Sequence, residues 1–113
     1  MLADLRYAYP SEKLYQAMHT LATGKGDVRS RLLCAFMGFH TLNKGDFPPE
    51  FREDWEWVME QMTKYGPLLD HKGEVWRGSV ENTMNRIKNT TGEKIAEKIF
   101  NISWELHTNE KYF

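Results

Sequence analysis

The sequence predicts an all-α protein, one compact domain of about five amphipathic helices. Three observations carry that expectation. Apolar residues recur every three to four positions in five separate runs, the period of a helix face. No segment alternates apolar and polar residues as a half-buried strand does. Glycines, with Asp or Asn beside them, stand at the joints between runs, where helices stop and start. At 113 residues the chain makes one domain. Being 41% hydrophobic and 27% charged, it is too apolar to remain disordered.

The elements follow in order. In PSEKLYQAMHTLATG, Ser11 reads as an N-cap, and Leu14, Ala17, Met18 and Leu21 form one face before Gly24 ends the helix. In DVRSRLLCAFMGFHTL, Asp27 caps, Val28, Leu32, Ala35, Phe36, Phe39 and Leu42 face inward, and Asn43 and Gly45 close the run. Pro49 suits the first turn of a third helix, where a missing N–H costs nothing. That helix carries Phe51, Trp55, Val58 and Met62 and stops at Gly66-Pro67. LLDHKGEVW is the least regular stretch and reads as a loop or a short extended piece. Ser79 opens a run with Val80, Thr83, Met84 and Ile87 inward. Thr90 and Glu93 then have capping-box spacing before Ile95, Ile99, Ile102 and Leu106.

One pattern recurs across these joints. HTLATGKGD at 19–27 and HTLNKGD at 40–46 both set His-Thr-Leu ahead of Lys-Gly-Asp, and HKGE at 71–74 is a fainter third copy. Turn chemistry accounts for it: Gly supplies a left-handed turn and Asp satisfies the orphan N–H groups ahead. The flanking residues do not match, so no true repeat is inferred.

Charge and composition exclude some functions. Net charge is −1, with no global basic footprint for nucleic acid. It is unevenly spread. Residues 1–45 hold six basic and three acidic groups, residues 46–73 three and seven, and the remainder six and six. A single cysteine, Cys34, excludes an internal disulfide and fits a reducing compartment. No apolar stretch approaches the roughly 20 residues of a membrane helix, and no signal peptide is legible. A cytoplasmic protein without membrane contact is expected.

Chemical motifs are sparse. His19, His40, His71 and His107 match no metal-binding spacing, and no cofactor or metal is expected. Cys34, beside Leu33 and Phe36, reads as a buried thiol rather than a nucleophile. No nucleophile and base can be assigned to a shared site, so catalysis is not expected. Lys25, Arg29 and Arg31 surround the start of the second helix, where free N–H groups favour anions, although Asp27 can pair with Arg31 at i, i+4. Asn82, Asn85 and Asn89 form a stripe beside Arg86, placed either to touch a partner or nucleic-acid backbone or simply as polar exterior. The third helix is acidic, with Glu50, Glu53, Asp54, Glu56 and Glu60 flanking the apolar row and Trp57 set away from it. A solvated face accounts for the charges; a docking face for a basic partner with Trp57 as aromatic anchor is the sharper reading.

EKIAEKIFNIS at 93–103 resembles the first helix and turn of a helix-turn-helix DNA-binding unit. The resemblance covers about ten residues, places a degenerate helix-turn-helix near 79–107, and implies a recognition helix in the following WELHTNEKYF, which lacks the Thr-Val-x-Arg pattern of one. The uninterrupted row 95, 99, 102, 106 supports one continuous helix instead.

These observations lead to a small non-catalytic helical module acting by protein–protein contact, as an adaptor, regulator or inhibitor. Glu53, Glu56, Trp57 and Glu60 are its expected interaction face. Two copies pairing, basic half against acidic middle, form a homodimer variant of the same expectation. The alternative is a nucleic-acid-binding protein using local basic patches or the degenerate helix-turn-helix.

Overall fold

A computed structural model describes residues 6–112. Among them are five helices: α1 (Ala8–Thr23), α2 (Val28–Phe39), α3 (Pro49–Met62), α4 (Ser79–Arg86) and α5 (Asn89–Thr108). Short 3-10 turns lie at Lys44–Asp46 and Glu110–Tyr112. The all-α expectation holds, with one addition. β1 (Leu68–Leu69) and β2 (Val75–Arg77) form a small antiparallel hairpin. Leu68 pairs with Arg77 and Leu69 with Val75, so Trp76 is the extra residue of a bulge. Strands of two and three residues are too short for an alternation to register.

The central element is α5, which packs on α1, α2 and α3. Its row Ile95, Ile99, Ile102 and Leu106 is buried against Leu14 and Ala17 of α1, Val28, Leu32, Ala35 and Phe39 of α2, and Trp55, Val58 and Met62 of α3 in one continuous core. Met18, Leu21, Phe36, Phe51 and Val80 lie at its margin. An aromatic chain runs through it: Phe36 meets Phe39 at 5.4 Å, Phe39 meets Trp55 at 5.3 Å, and Phe47 lies 4.7 Å from Trp55. The buried Trp55 satisfies its indole by donating Nε1–H to the Leu42 carbonyl at 3.2 Å. Close packing also dictates Gly92. A Cβ there would sit 2.9 Å from Val28 Cγ1, so glycine lets α5 approach α2.

Several local expectations are corrected. α1 begins at Ala8, not after Ser11, because Pro10 sits in the first turn, where its missing N–H is tolerated. Ser11 Oγ instead lies 3.2 Å from His107 Nε2. α5 starts at Asn89 with no side-chain cap, so Thr90 and Glu93 form no capping box. Ile87 and Lys88, both extended, divide α4 from α5, and residues 93–103 fall inside one helix rather than a helix and a turn. Cys34 is exposed, because the buried α2 row at 28, 32, 35 and 39 puts position 34 on the outer side with Ser30 and Met37.

The three Lys-Gly-acid stretches do three different jobs. Asp27 is the N-cap of α2 and accepts from the Ser30 N–H at 3.1 Å. Asn43 and Asp46 form a reciprocal capping box over a 3-10 turn, while α3 starts uncapped after Pro48. Asp70 closes the hairpin loop by accepting from the Lys72 and Glu74 N–H groups. Left-handed glycine occurs at Gly26 (φ 86°) and Gly73 (φ 80°) but not at Gly24 or Gly45.

Candidate functional site

The expected anion cluster does not assemble. Arg29 Nη2 pairs with Asp27 Oδ2 at 2.8 Å and Nη1 donates to the Ile87 carbonyl at 3.1 Å. Asp27 therefore bonds Arg29 rather than Arg31, and that hydrogen bond, with the Ser30 N–H, holds its carboxyl below the usual range. Arg31 donates to the Gly26 carbonyl at 2.7 Å. The two arginines leave α2 on different sides. Arg29 lines a cleft against α4 and Arg31 a groove against α5, while His40 caps the far end of the helix. Lys25 is exposed in the joint before them.

The asparagine stripe is also split. Asn82 is buried and donates to the Gly66 carbonyl at 3.0 Å. Beside it the buried Thr83 accepts the Tyr65 N–H at 3.1 Å, so these two side chains tie down the turn after α3. Asn85 donates to the Glu81 carbonyl of its own helix, and the Arg86 guanidinium lies 5.4 Å from the Tyr65 ring centre.

On α3 the carboxylates are partly answered from within the chain. Lys44 pairs with Glu56 at 2.9 Å, Lys98 with Asp54 at 3.3 Å, and Lys111 with Glu50 at 2.6 Å. Glu53 and Glu60 are exposed with no ion pair among the described residues. Trp57 is half-buried against the core, with Lys98 Nζ 5.9 Å from its ring. It is therefore not the freely exposed anchor the sequence suggested. A groove of about 380 Å³ lies beside this face, lined by Leu42, Lys44, Trp55, Glu56, Met59 and Glu60.

An unpartnered apolar surface lies elsewhere, between α1 and α5. Phe100 and Trp104 stack at 5.9 Å and 23° on the outside of α5, yet they are 44% and 57% exposed. Tyr15 of α1, 64% exposed, faces the same groove. Met18 and Phe100 join two adjoining hollows of about 640 and 240 Å³. The larger is floored by Leu21, Val28 and Ala96 and rimmed by Asp27, Arg31, Glu93 and Glu97. The smaller ends at His107, whose Nδ1–H donates to the Ser103 carbonyl at 2.8 Å and whose ring lies 5.6 Å from that of Tyr15. Such a groove is suited to receive apolar side chains. The signal for it was present in the sequence. Phe100 and Trp104, four apart, form a second apolar row on α5 that the buried row at 95, 99, 102 and 106 overshadows.

A second exposed cluster, Leu69, Val75 and Trp76, sits on the hairpin, with Arg77 lying 4.9 Å from the Trp76 ring. Among the described residues no three His, Cys, Asp or Glu side chains converge as metal ligands, and no helix is long and apolar enough to cross a membrane. No protein-family model, curated protein or solved structure matches this chain.

Proposed function

We propose that this chain is a non-catalytic helical module that acts by protein–protein contact through the α1–α5 groove. The observation that carries the reading is the Phe100–Trp104 stack. A folded chain leaves two large rings outside its core beside a third, Tyr15, where only another surface would cover them. The acidic α3 face, Glu53, Glu56, Trp57 and Glu60, is the secondary contact, suited to a basic partner. Its internal pairs with Lys44 and Lys98 lower its unbalanced charge.

The test is position-specific. A photo-crosslinking residue is substituted for Trp104 or for Glu53 in cells. Protein adducts from position 104 support the groove. Adducts from position 53 alone move the contact to α3, and adducts from neither refute the reading.

The nucleic-acid alternative has fewer free cations than the sequence implied. Arg29 and Lys98 are held by Asp27 and Asp54, and Arg86 lies against Tyr65, leaving Lys25, Arg31, Lys88 and Lys94 of the candidate cations without an ion pair among the described residues. Binding to random duplex or single strand that weakens with salt would favour it, since phosphate contacts release counterions.

A further inference from the structure

We propose that the surface made by the hairpin and α4 binds single-stranded nucleic acid, with bases stacked on Tyr65 and Trp76 and phosphates held by the cations beside those rings. This surface shares no residue with the α1–α5 groove, so it adds a second partner to the contact role above and does not depend on it.

Two large rings stay open to water here. Tyr65, in the turn after α3, is 45% exposed, and Trp76, the bulge residue of β2, is 67% exposed. Each has cations against it. Lys64 Nζ and the Arg86 guanidinium lie 5.7 and 5.4 Å from the Tyr65 ring centre, and the Arg77 guanidinium lies 4.9 Å from that of Trp76. An open ring beside a cation offers a nucleotide a flat surface for its base and a positive charge for its phosphate. An arginine lying on a ring keeps its N–H edge for phosphate oxygens.

The fold holds the two rings near each other. The Tyr65 N–H donates to Thr83 Oγ1, and Asn82 donates to the Gly66 carbonyl, which fixes the turn on α4. Arg77, next to Trp76, pairs with Leu68 across the hairpin and reaches Glu81 of α4 at 3.4 Å. Tyr65 stands three residues before Leu68. Chain connectivity therefore keeps the Cα atoms of Tyr65 and Trp76 within about 20 Å. At about 3.4 Å per stacked nucleotide, about six nucleotides span that distance.

Charge selects the partner. Residues 64–88 carry five basic and three acidic groups in a chain of net charge −1, so this end is positive against a negative remainder. Lys64, Lys72, Arg86 and Lys88 are exposed and have no ion pair among the described residues. Of the three acids, Glu81 is paired with Arg77, and Asp70 is turned onto the Lys72 and Glu74 N–H groups of its own loop. A lipid surface fits less well. The loop that would enter a bilayer is Asp70-His71-Lys72-Gly73-Glu74, with two carboxylates and no large apolar side chain.

Fluorescence anisotropy with the full chain and labelled twelve-nucleotide oligo-dT and oligo-U tests the proposal. Micromolar binding is expected in low salt. Its logarithm should fall against log salt with a slope of about −1.5 to −3, the mark of two to four phosphates on a single strand. A duplex of the same length, whose base faces are already stacked, should bind several-fold more weakly. Trp76→Ala and Tyr65→Leu should each weaken binding about fivefold or more. Neither removes a core contact, and the Tyr65 hydrogen bond to Thr83 runs through the backbone, so thermal melts of both variants should match the parent. Quenching of tryptophan fluorescence by the oligomer should disappear in Trp76→Ala. Arg86→Glu should weaken binding and flatten the salt slope, whereas Lys25→Glu, on the α1–α2 joint, should do neither.

No binding in low salt overturns the proposal, as does binding that ignores both ring variants. Binding lost in Lys25→Glu rather than Arg86→Glu moves the contact to another surface and refutes this one. Preference for phosphatidylserine vesicles over the oligomers, lost in Trp76→Ala, would make the surface a membrane contact instead. Protein adducts from position 104 bear on the groove alone, so the two readings fail separately.

Discussion

The Tyr112 hydroxyl donates to Glu50 Oε1 at 3.1 Å, and the same oxygen takes Lys111 Nζ at 2.6 Å. The segment after α5 is thereby clasped to the first turn of α3. Lys111 first, then the helix N-terminal backbone and Tyr112, hold the Glu50 carboxyl at about 2, against 4.5 for an ordinary glutamate. A carboxyl with a lowered folded-state value contributes stability above its unfolded value and loses it as pH falls through the folded one. The melting temperature should therefore drop between about pH 5 and pH 2. Glu50→Gln should lower stability at neutral pH and flatten that part of the profile. A calorimetric pH series on both proteins checks this; identical slopes would refute it.

Trp55 should be the most sensitive core position of α3. It is 1% exposed, contacts Phe39 and Phe47, and bonds Leu42 across the inter-helix joint. Trp55→Ala should cost about 3–5 kcal/mol in urea unfolding. Trp55→Phe keeps ring packing but orphans the Leu42 carbonyl, so a smaller loss of about 1–3 kcal/mol is expected.

Thr83→Val replaces a hydroxyl by a methyl of nearly equal shape. It should cost about 1–3 kcal/mol by leaving the Tyr65 N–H without its acceptor. Amide exchange at Tyr65 should speed up selectively, while amides of the α5 core row stay protected. Unchanged exchange at Tyr65 would mean that Thr83 does not anchor the turn.

Gly26→Ala should destabilise the α1–α2 joint. Its φ of 86° disfavours a side chain, and the new Cβ would lie 2.9 Å from Ser30 Cβ and Oγ. A loss of about 1–2 kcal/mol follows from the left-handed backbone alone. Gly45→Ala, at a position without positive φ, should cost less. Urea midpoints of the pair test whether the two Lys-Gly-Asp stretches really use glycine differently.

Much of the fold was legible because helix periodicity is local. The rows at 14–17, 28–39, 55–62 and 95–106 became the core, since residues three and four apart share a face whatever surrounds them. The hairpin was not legible as strands. Its pairing joins Leu68 to Arg77 and Leu69 to Val75, nine and six residues apart, through a bulge, and no periodicity records that. Cap assignments failed at Ser11 and Thr90 for a related reason. Pro10 and the Ile87–Lys88 break decided the helix starts, and several residues near a boundary had suitable cap chemistry.

For the site, the sequence by itself determined which side chains were on offer. These were the acids of α3, the arginines of α2, the asparagines of α4 and the surplus of aromatic rings. Only the tertiary structure decided which of them were already spent. Arg29 went to Asp27 and Ile87, Asn82 to Gly66, and Lys98 to Asp54 beside Trp57, while Phe100, Trp104 and Tyr15 stayed uncovered. The physical reason is that a helical period reports the face a residue occupies on its own cylinder. Whether that face is covered depends on elements tens of residues away.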